Sequence, residues 1–233
     1  MAKPKIPIIA ARCEAVRKDN AATLYIYGTI AKSSWWDDDV VSAAMVREAL
    51  EEIGEVEEIK VHINSGGGDV FESIAIMNHL KQHSAKIKVM IDGLAASGAS
   101  IVAMAGDAIE MSPSSMMMVH KAWSFGVGNA DDFRKLAEDM DKIDSAVFEA
   151  YKPRFQGEDE DLRALISNET WLTAAECLDM GFCTALTEKT PAEDPEDVKN
   201  SILERIRAQA AAKKQPQEEK KSILENFKKG EKE

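Results

Sequence analysis

Apolar and polar residues alternate strictly from Glu58 to Asn64 (Glu-Ile-Lys-Val-His-Ile-Asn), which puts Ile59, Val61 and Ile63 on one face of an extended segment. Lys86 to Asp92 reads as a second strand, and the β-rich run Ala22–Ile30 as a third that ends at a glycine-containing turn. The period lengthens to that of a helix over Val40–Ile53, where Val41, Met45, Leu50 and Ile53 are among the apolar positions, and again over roughly Val70–His83. The acidic stretch Trp35-Trp36-Asp37-Asp38-Asp39 suits a helix N-terminus. Gly93 is expected to turn the chain ahead of a small-residue helix from about Ser97 to Ala105. Two short strands follow, Ala108–Met111 and Met116–Val119, split by Ser112-Pro113-Ser114. A long amphipathic helix then spans about Ala130–Tyr151, with Phe133, Leu136, Met140, Ile143, Val147 and Phe148 on its stripe. Alternation of strands and helices implies an α/β fold around a largely parallel sheet with right-handed crossovers.

The patterning fades after Leu186, where Pro, Glu and Asp and then Lys, Glu and Gln take over. The expected organisation is an N-terminal segment, 1–21, one domain over 22–187, and a charged, solvated C-terminal tail, 188–233. An adaptor-binding role for that tail is the alternative. Hydrophobic residues at 45% and charged residues at 30% fit a globular chain, and 233 residues suffice to bury a sizeable core. A net charge of −12 argues against broad adhesion to nucleic acid or anionic membrane. No apolar run reaches the roughly 18 residues of a membrane span, and the first residues do not form a convincing signal peptide, so a cytoplasmic protein is expected. The three cysteines, Cys13, Cys177 and Cys183, have neither disulfide-framework nor zinc-ribbon spacing, and Cys177 and Cys183 read as small buried hydrophobes.

Candidate chemistry starts from four histidines. His79 and His83 lie one helical turn apart, but Lys81 stands between them and a solvent-facing helix surface explains them better than a metal pair. His62 sits within a strand, where a satisfied side chain is expected. His120 follows the apolar strand Met-Met-Met-Val at the point where it empties into a loop, the edge at which parallel sheets build their sites. The segment Gly93-Leu94-Ala95-Ala96-Ser97-Gly98-Ala99-Ser100 occupies the same position after its own strand. Small neighbours and a helix start behind Ser97 would suit a nucleophile with backbone N–H groups for an oxyanion; a close-packed Ala/Ser/Gly helix explains the segment equally well. Ala95 and Ala99 stand where the Gly-x-Ser-x-Gly elbow has glycines. Ser65-Gly66-Gly67-Gly68-Asp69 is neither a Walker loop nor a dinucleotide fingerprint; it could present N–H groups to a cleft or be a plain turn.

Taken together, Ile63-Asn64-Ser65-Gly66-Gly67-Gly68, Gly93-Leu94-Ala95-Ala96-Ser97 and Met118-Val119-His120 resemble, in order and spacing, the signature blocks of the Clp protease proteolytic subunit family. Trp171-Leu172-Thr173-Ala174-Ala175-Glu176 with Met180-Gly181-Phe182 extends the resemblance, which runs from about Thr23 to Leu186. It implies a spiral of strand-strand-helix units, shared with crotonases, and a protruding long helix. It further implies a serine peptidase with Ser97 as nucleophile, His120 as base and the N–H groups of Gly68 and Gly98 as oxyanion hole. Gly66 and Gly67 would hold substrate backbone, and no cofactor or metal is implied. Glu169 matches the family's third catalytic position, usually Asp, with Asn168 or a nearby Asp as alternatives. Lys121-Ala122 replaces the usual Gln-Pro, and with Trp123 and the Gly128–Asp132 helix start this resembles the phage and prophage branch of head-maturation proteases. Polypeptide substrates, stacked and usually heptameric rings, and an ATPase unfoldase or phage capsid proteins would be the partners; an assembling procapsid would be a second location. A crotonase-type acyl-CoA enzyme, a Ser-Lys signal-peptide peptidase and a catalytically silent ring or capsid-associated subunit are the rival readings.

Overall fold

The computed structural model describes residues 9–32 and 39–187. The acidic stretch 35–38 ahead of the first expected helix and the charged tail 188–233 lie outside the described residues. In chain order the elements are β1 (Arg12–Lys18), β2 (Ala21–Ile30), β3 (Val40–Val41), α1 (Ala43–Ile53), β4 (Glu58–Gly68), α2 (Val70–Gln82), β5 (Lys86–Ala96) and α3 (Gly98–Ala103). There follow β6 (Ala108–Met111), β7 (Met116–Val119), α4 (Ala130–Tyr151), α5 (Asp159–Ser167), β8 (Thr170–Thr173), α6 (Ala174–Asp179) and β9 (Ala185–Leu186).

The sheet runs β1-β2-β4-β5-β6-β9, with β3 beside β2 and β7 joining β5 to β8. Its pairings are parallel except β1 with β2 and β7 with β8. Alternation along the central strands decides the layering. Ile59, Val61 and Ile63 of β4 and Ile87, Val89 and Ile91 of β5 are buried, together with Val46, Leu50 and Ile53 of α1 and Ile76, Met77 and Leu80 of α2. Each such side chain contributes about 1.5–3 kcal/mol by leaving water. All six residues of α3 are buried, and four of them, Gly98, Ala99, Ser100 and Ala103, are small enough to let the helix pack close to the sheet. This is the mixed α/β architecture that the sequence implied, with α4 as the long helix.

Three boundaries differ from the sequence reading. Gly93 does not turn the chain; β5 continues through it to Ala96. Its first half pairs with β6 (Lys88↔Ala108 to Ile91↔Met111) and its second half with β7 (Leu94↔Met116 to Ala96↔Met118), so Gly93 marks a change of partner. A side chain there would begin 3.0 Å from Asn64 Oδ1. The glycine loop likewise is no free turn, because Gly67 and Gly68 pair with Thr29 and Ile30 at the end of β4. Val40 and Val41 form β3 rather than a helical turn, and α1 starts at Ala43 behind Ser42, whose hydroxyl accepts the Met45 N–H. On α4 the apolar stripe is only partly covered: Val147 and Phe148 are buried, whereas Phe133 is exposed.

Candidate active site

Three strand ends converge because of register. Ala96 of β5 pairs with Met118 of β7, and the next amide, Ser97 N–H, donates to the Met118 carbonyl at 2.8 Å. Two residues on, His120 leaves the same strand edge, and its Nε2 lies 2.6 Å from Ser97 Oγ. The antiparallel β7–β8 register runs from Met116↔Thr173 to Val119↔Thr170 and, one step further, sets Glu169 opposite His120. A Glu169 carboxylate oxygen stands 3.9 Å from His120 Nδ1, within ion-pair reach and longer than a hydrogen bond. The structure therefore brings Ser97, His120 and Glu169 into one line.

Ser97 has φ 55° and ψ −126°, and Glu169 has φ 50°; neither is glycine. Side chains in that region cost on the order of 1–3 kcal/mol each and persist where the surroundings over-determine them. At Ser97 the determinants are visible: its carbonyl accepts the Ser100 and Ile101 amides of α3 while its own amide is held by Met118. The result is a hydroxyl lifted from a sharp strand-to-helix turn, without the glycines of the usual elbow, because Ala95, Ala96 and Ala99 are themselves fully buried small residues.

The glycines close the other wall. Gly67 has φ +87°, and a Cβ there would meet Ala96 O at 2.5 Å, Gly98 N at 2.7 Å and Ser97 Cβ at 2.8 Å. Only glycine lets β4 pass this close to the serine turn. A Cβ built on Gly98 would lie 3.4 Å from the Gly68 amide nitrogen, so the Gly68 and Gly98 backbones are adjacent next to Ser97. Ser65, buried, pins the loop by donating to the Gly28 carbonyl and accepting the Gly67 N–H. Asp69 caps α2 through the Phe71 and Glu72 amides. Gly66, Gly67, Gly68, Ser97, Gly98 and His120 all line one cleft of about 470 Å³, whose far wall is apolar and comes from α4.

One supporting residue escapes a reading of the sequence. Asp144 on α4 accepts the Ala122 N–H at 2.8 Å and Lys121 Nζ at 3.2 Å, tying the loop after His120 to the long helix. A single acid on a helix already rich in acids carries no sequence signal. The other histidines stay out of the cleft: His62 lies 3.0 Å from both Asp92 carboxylate oxygens and stacks on Tyr25, and His83 accepts the Ala85 N–H through Nδ1. Among the described residues no group of three His, Cys, Asp or Glu side chains could hold a metal ion. Nor is any helix among them long and apolar enough to cross a membrane. Cys177 and Cys183 are buried, and burial raises their thiol pKa values from 9.0 to about 12 and about 11.

A serine hydroxyl bonded to imidazole, with a carboxylate behind and backbone amides in front, is the constellation of serine hydrolases, recognised by geometry whatever the fold. Family comparison narrows the class: residues 19–190 match the Clp protease family, and the chain belongs to it. It is 31% identical over 124 residues to the ATP-dependent Clp protease proteolytic subunit 1 of Protochlamydia amoebophila, covering 52% of this chain and 60% of that protein. It is 25% identical over 135 residues to the ATP-dependent Clp protease proteolytic subunit of Bacteroides thetaiotaomicron (57% and 61%) and over 136 residues to that of Deinococcus radiodurans (58% and 67%). The chain thus spans about three fifths of the length of the first two relatives.

Proposed function

We propose that this chain is a serine endopeptidase that cleaves peptide bonds through an acyl-enzyme. The observation that carries the reading is the 2.6 Å contact between Ser97 Oγ and His120 Nε2 inside a cleft of about 470 Å³. Ser97 Oγ attacks the peptide carbonyl as its proton passes to His120. The imidazolium, faced by Glu169, returns that proton to the departing amine. The amides of Gly68 and Gly98 hold the oxyanion, and Gly66 and Gly67 admit the substrate backbone. Water then adds to the acyl carbonyl with His120 again as base, releasing the acid and the Ser97 hydroxyl. The domain carrying this chemistry is 22–187, with β1 added at its edge.

Assembly into a ring chamber, of heptamers singly or stacked, belongs to the same proposal and is supported by Trp123, Phe125 and Val127, exposed at 74%, 85% and 89% beside the uncovered stripe of α4. Lys121-Ala122-Trp123 after the histidine supports the head-maturation branch, with capsid or scaffold polypeptides as substrates. General degradation with an ATPase unfoldase is the second form of the same chemistry. A crotonase-type reading is less well supported, because Asp69, the carboxylate lining the cleft among the described residues, is committed to its helix cap. Incubation of the purified chain with an unfolded polypeptide tests the proposal: fragments are expected with the wild type and none with Ser97→Ala. Equal cleavage by the variant would remove Ser97 from the mechanism.

A further inference from the structure

Behind the serine turn lies a buried hydroxyl pair that the reaction scheme does not use. Ser100 Oγ is 2.6 Å from the Ser97 carbonyl oxygen, 3.0 Å from the Met118 carbonyl oxygen and 2.8 Å from the phenolic oxygen of Tyr151. Both Ser100 and Tyr151 are fully buried, and Tyr151 reaches this point from the last turn of α4. The hydrogen count fixes the direction of the bonds. A serine hydroxyl has one proton, and the carbonyls can only accept. Oxygen atoms 2.6 Å apart need a proton between them, so the Ser100 proton points to the Ser97 carbonyl and is shared, in a three-centre bond, with the Met118 carbonyl, while the Tyr151 hydroxyl donates into Ser100 Oγ. Burial raises the phenol pKa, which favours the protonated donor.

We propose that Tyr151, acting through Ser100, is a positioning residue that holds the strained Ser97 turn in register with the strand bearing His120. The Met118 carbonyl, two residues before His120, already takes the Ser97 N–H, and Ser100 Oγ stands over both carbonyls at once. One hydroxyl therefore spans the strand end of the nucleophile and the strand of the base, and α4 pins it from outside. Ser97 holds φ 55° without being glycine, and that conformation needs external restraint. This inference rests on the serine-nucleophile reading.

Tyr151→Phe deletes the oxygen and keeps the ring, whose edge-on packing against Phe182 (centroids 5.9 Å apart) maintains the fold. In the full chain, kcat for a peptide substrate and the labelling rate with a fluorophosphonate should both fall about tenfold, with KM changed less than about twofold. Ser100→Ala should do the same, and the double variant should fall no further than the deeper single, because both remove one tie. Labelling at the wild-type rate in Tyr151→Phe, or effects that multiply in the double variant, would overturn the proposal; should Ser100→Ala fail to fold, Tyr151→Phe decides alone. Amide hydrogen exchange separates the layers. A wild type that does not label at Ser97 sinks the peptidase reading, yet exchange over residues 97–104 should still quicken in Tyr151→Phe, and unchanged exchange there would end the positioning role.

Discussion

Glu169→Gln is the perturbation whose size can be worked from geometry. Gln keeps the volume of the side chain and the same backbone strain at φ 50°, so the variant removes charge alone. Two unit charges 3.9 Å apart interact by about 4 kcal/mol at an effective dielectric of about 20. The carboxylate is 37% exposed, which reduces that figure to about 1–2 kcal/mol. Because the imidazolium forms only as the reaction proceeds, the loss falls on the transition state, about 5- to 30-fold in kcat/KM. A buried carboxylate hydrogen-bonded to Nδ1 is worth about 10⁴-fold, so the 3.9 Å separation predicts a much milder defect. Steady-state cleavage of a fluorogenic peptide, with thermal unfolding as control, measures it. A loss below about twofold would remove Glu169 from the line, and a loss beyond about a thousandfold would mean that the carboxylate closes onto Nδ1 in a direct hydrogen bond during turnover.

Gly67→Ala, whose methyl would meet Ala96 O, Gly98 N and Ser97 Cβ of the serine turn at 2.5–2.8 Å, should cut fluorophosphonate labelling about a hundredfold and lower Tm; an unchanged labelling rate would mean that the turn yields freely. Burial raises the Cys177 and Cys183 thiols above their ordinary 9.0, to about 12 and about 11, so above pH 9 the unfolded chain holds fewer protons than the folded one. Stability is therefore full below pH 9 and declines as pH climbs toward 11–12, with a shallower slope in Cys177→Ala; a urea midpoint constant from about pH 8 to about pH 10.5 would refute this.

The central strands and the order of the site segments are legible because alternation and short motifs are local properties. Ile59, Val61 and Ile63 announce β4 by themselves, and β6, β7 and α4 begin and end where the pattern does. What stays hidden depends on pairing. Gly93 has the composition of a turn, and only the change of partner from β6 to β7 makes it part of a strand. β1 reads as a plain N-terminal segment because its inward residues, Cys13 and Ala15, are small, half-buried and flanked by charge. Glu169 is reached through resemblance; the physical reason for its place is the β7–β8 register, which no single-strand pattern contains. Tyr151 and Asp144 are invisible as site residues because their partners lie 51 and 22 positions away.

Everything depends on a hydroxyl and an imidazole, 23 residues apart in the chain, meeting in one cleft. Intact-mass analysis with peptide mapping after fluorophosphonate treatment of the full chain reads that meeting directly. One adduct on Ser97 is predicted for the wild type, with labelling strongly slowed in His120→Ala. An unlabelled wild type, an adduct on another serine, or an undiminished rate without the imidazole would contradict it.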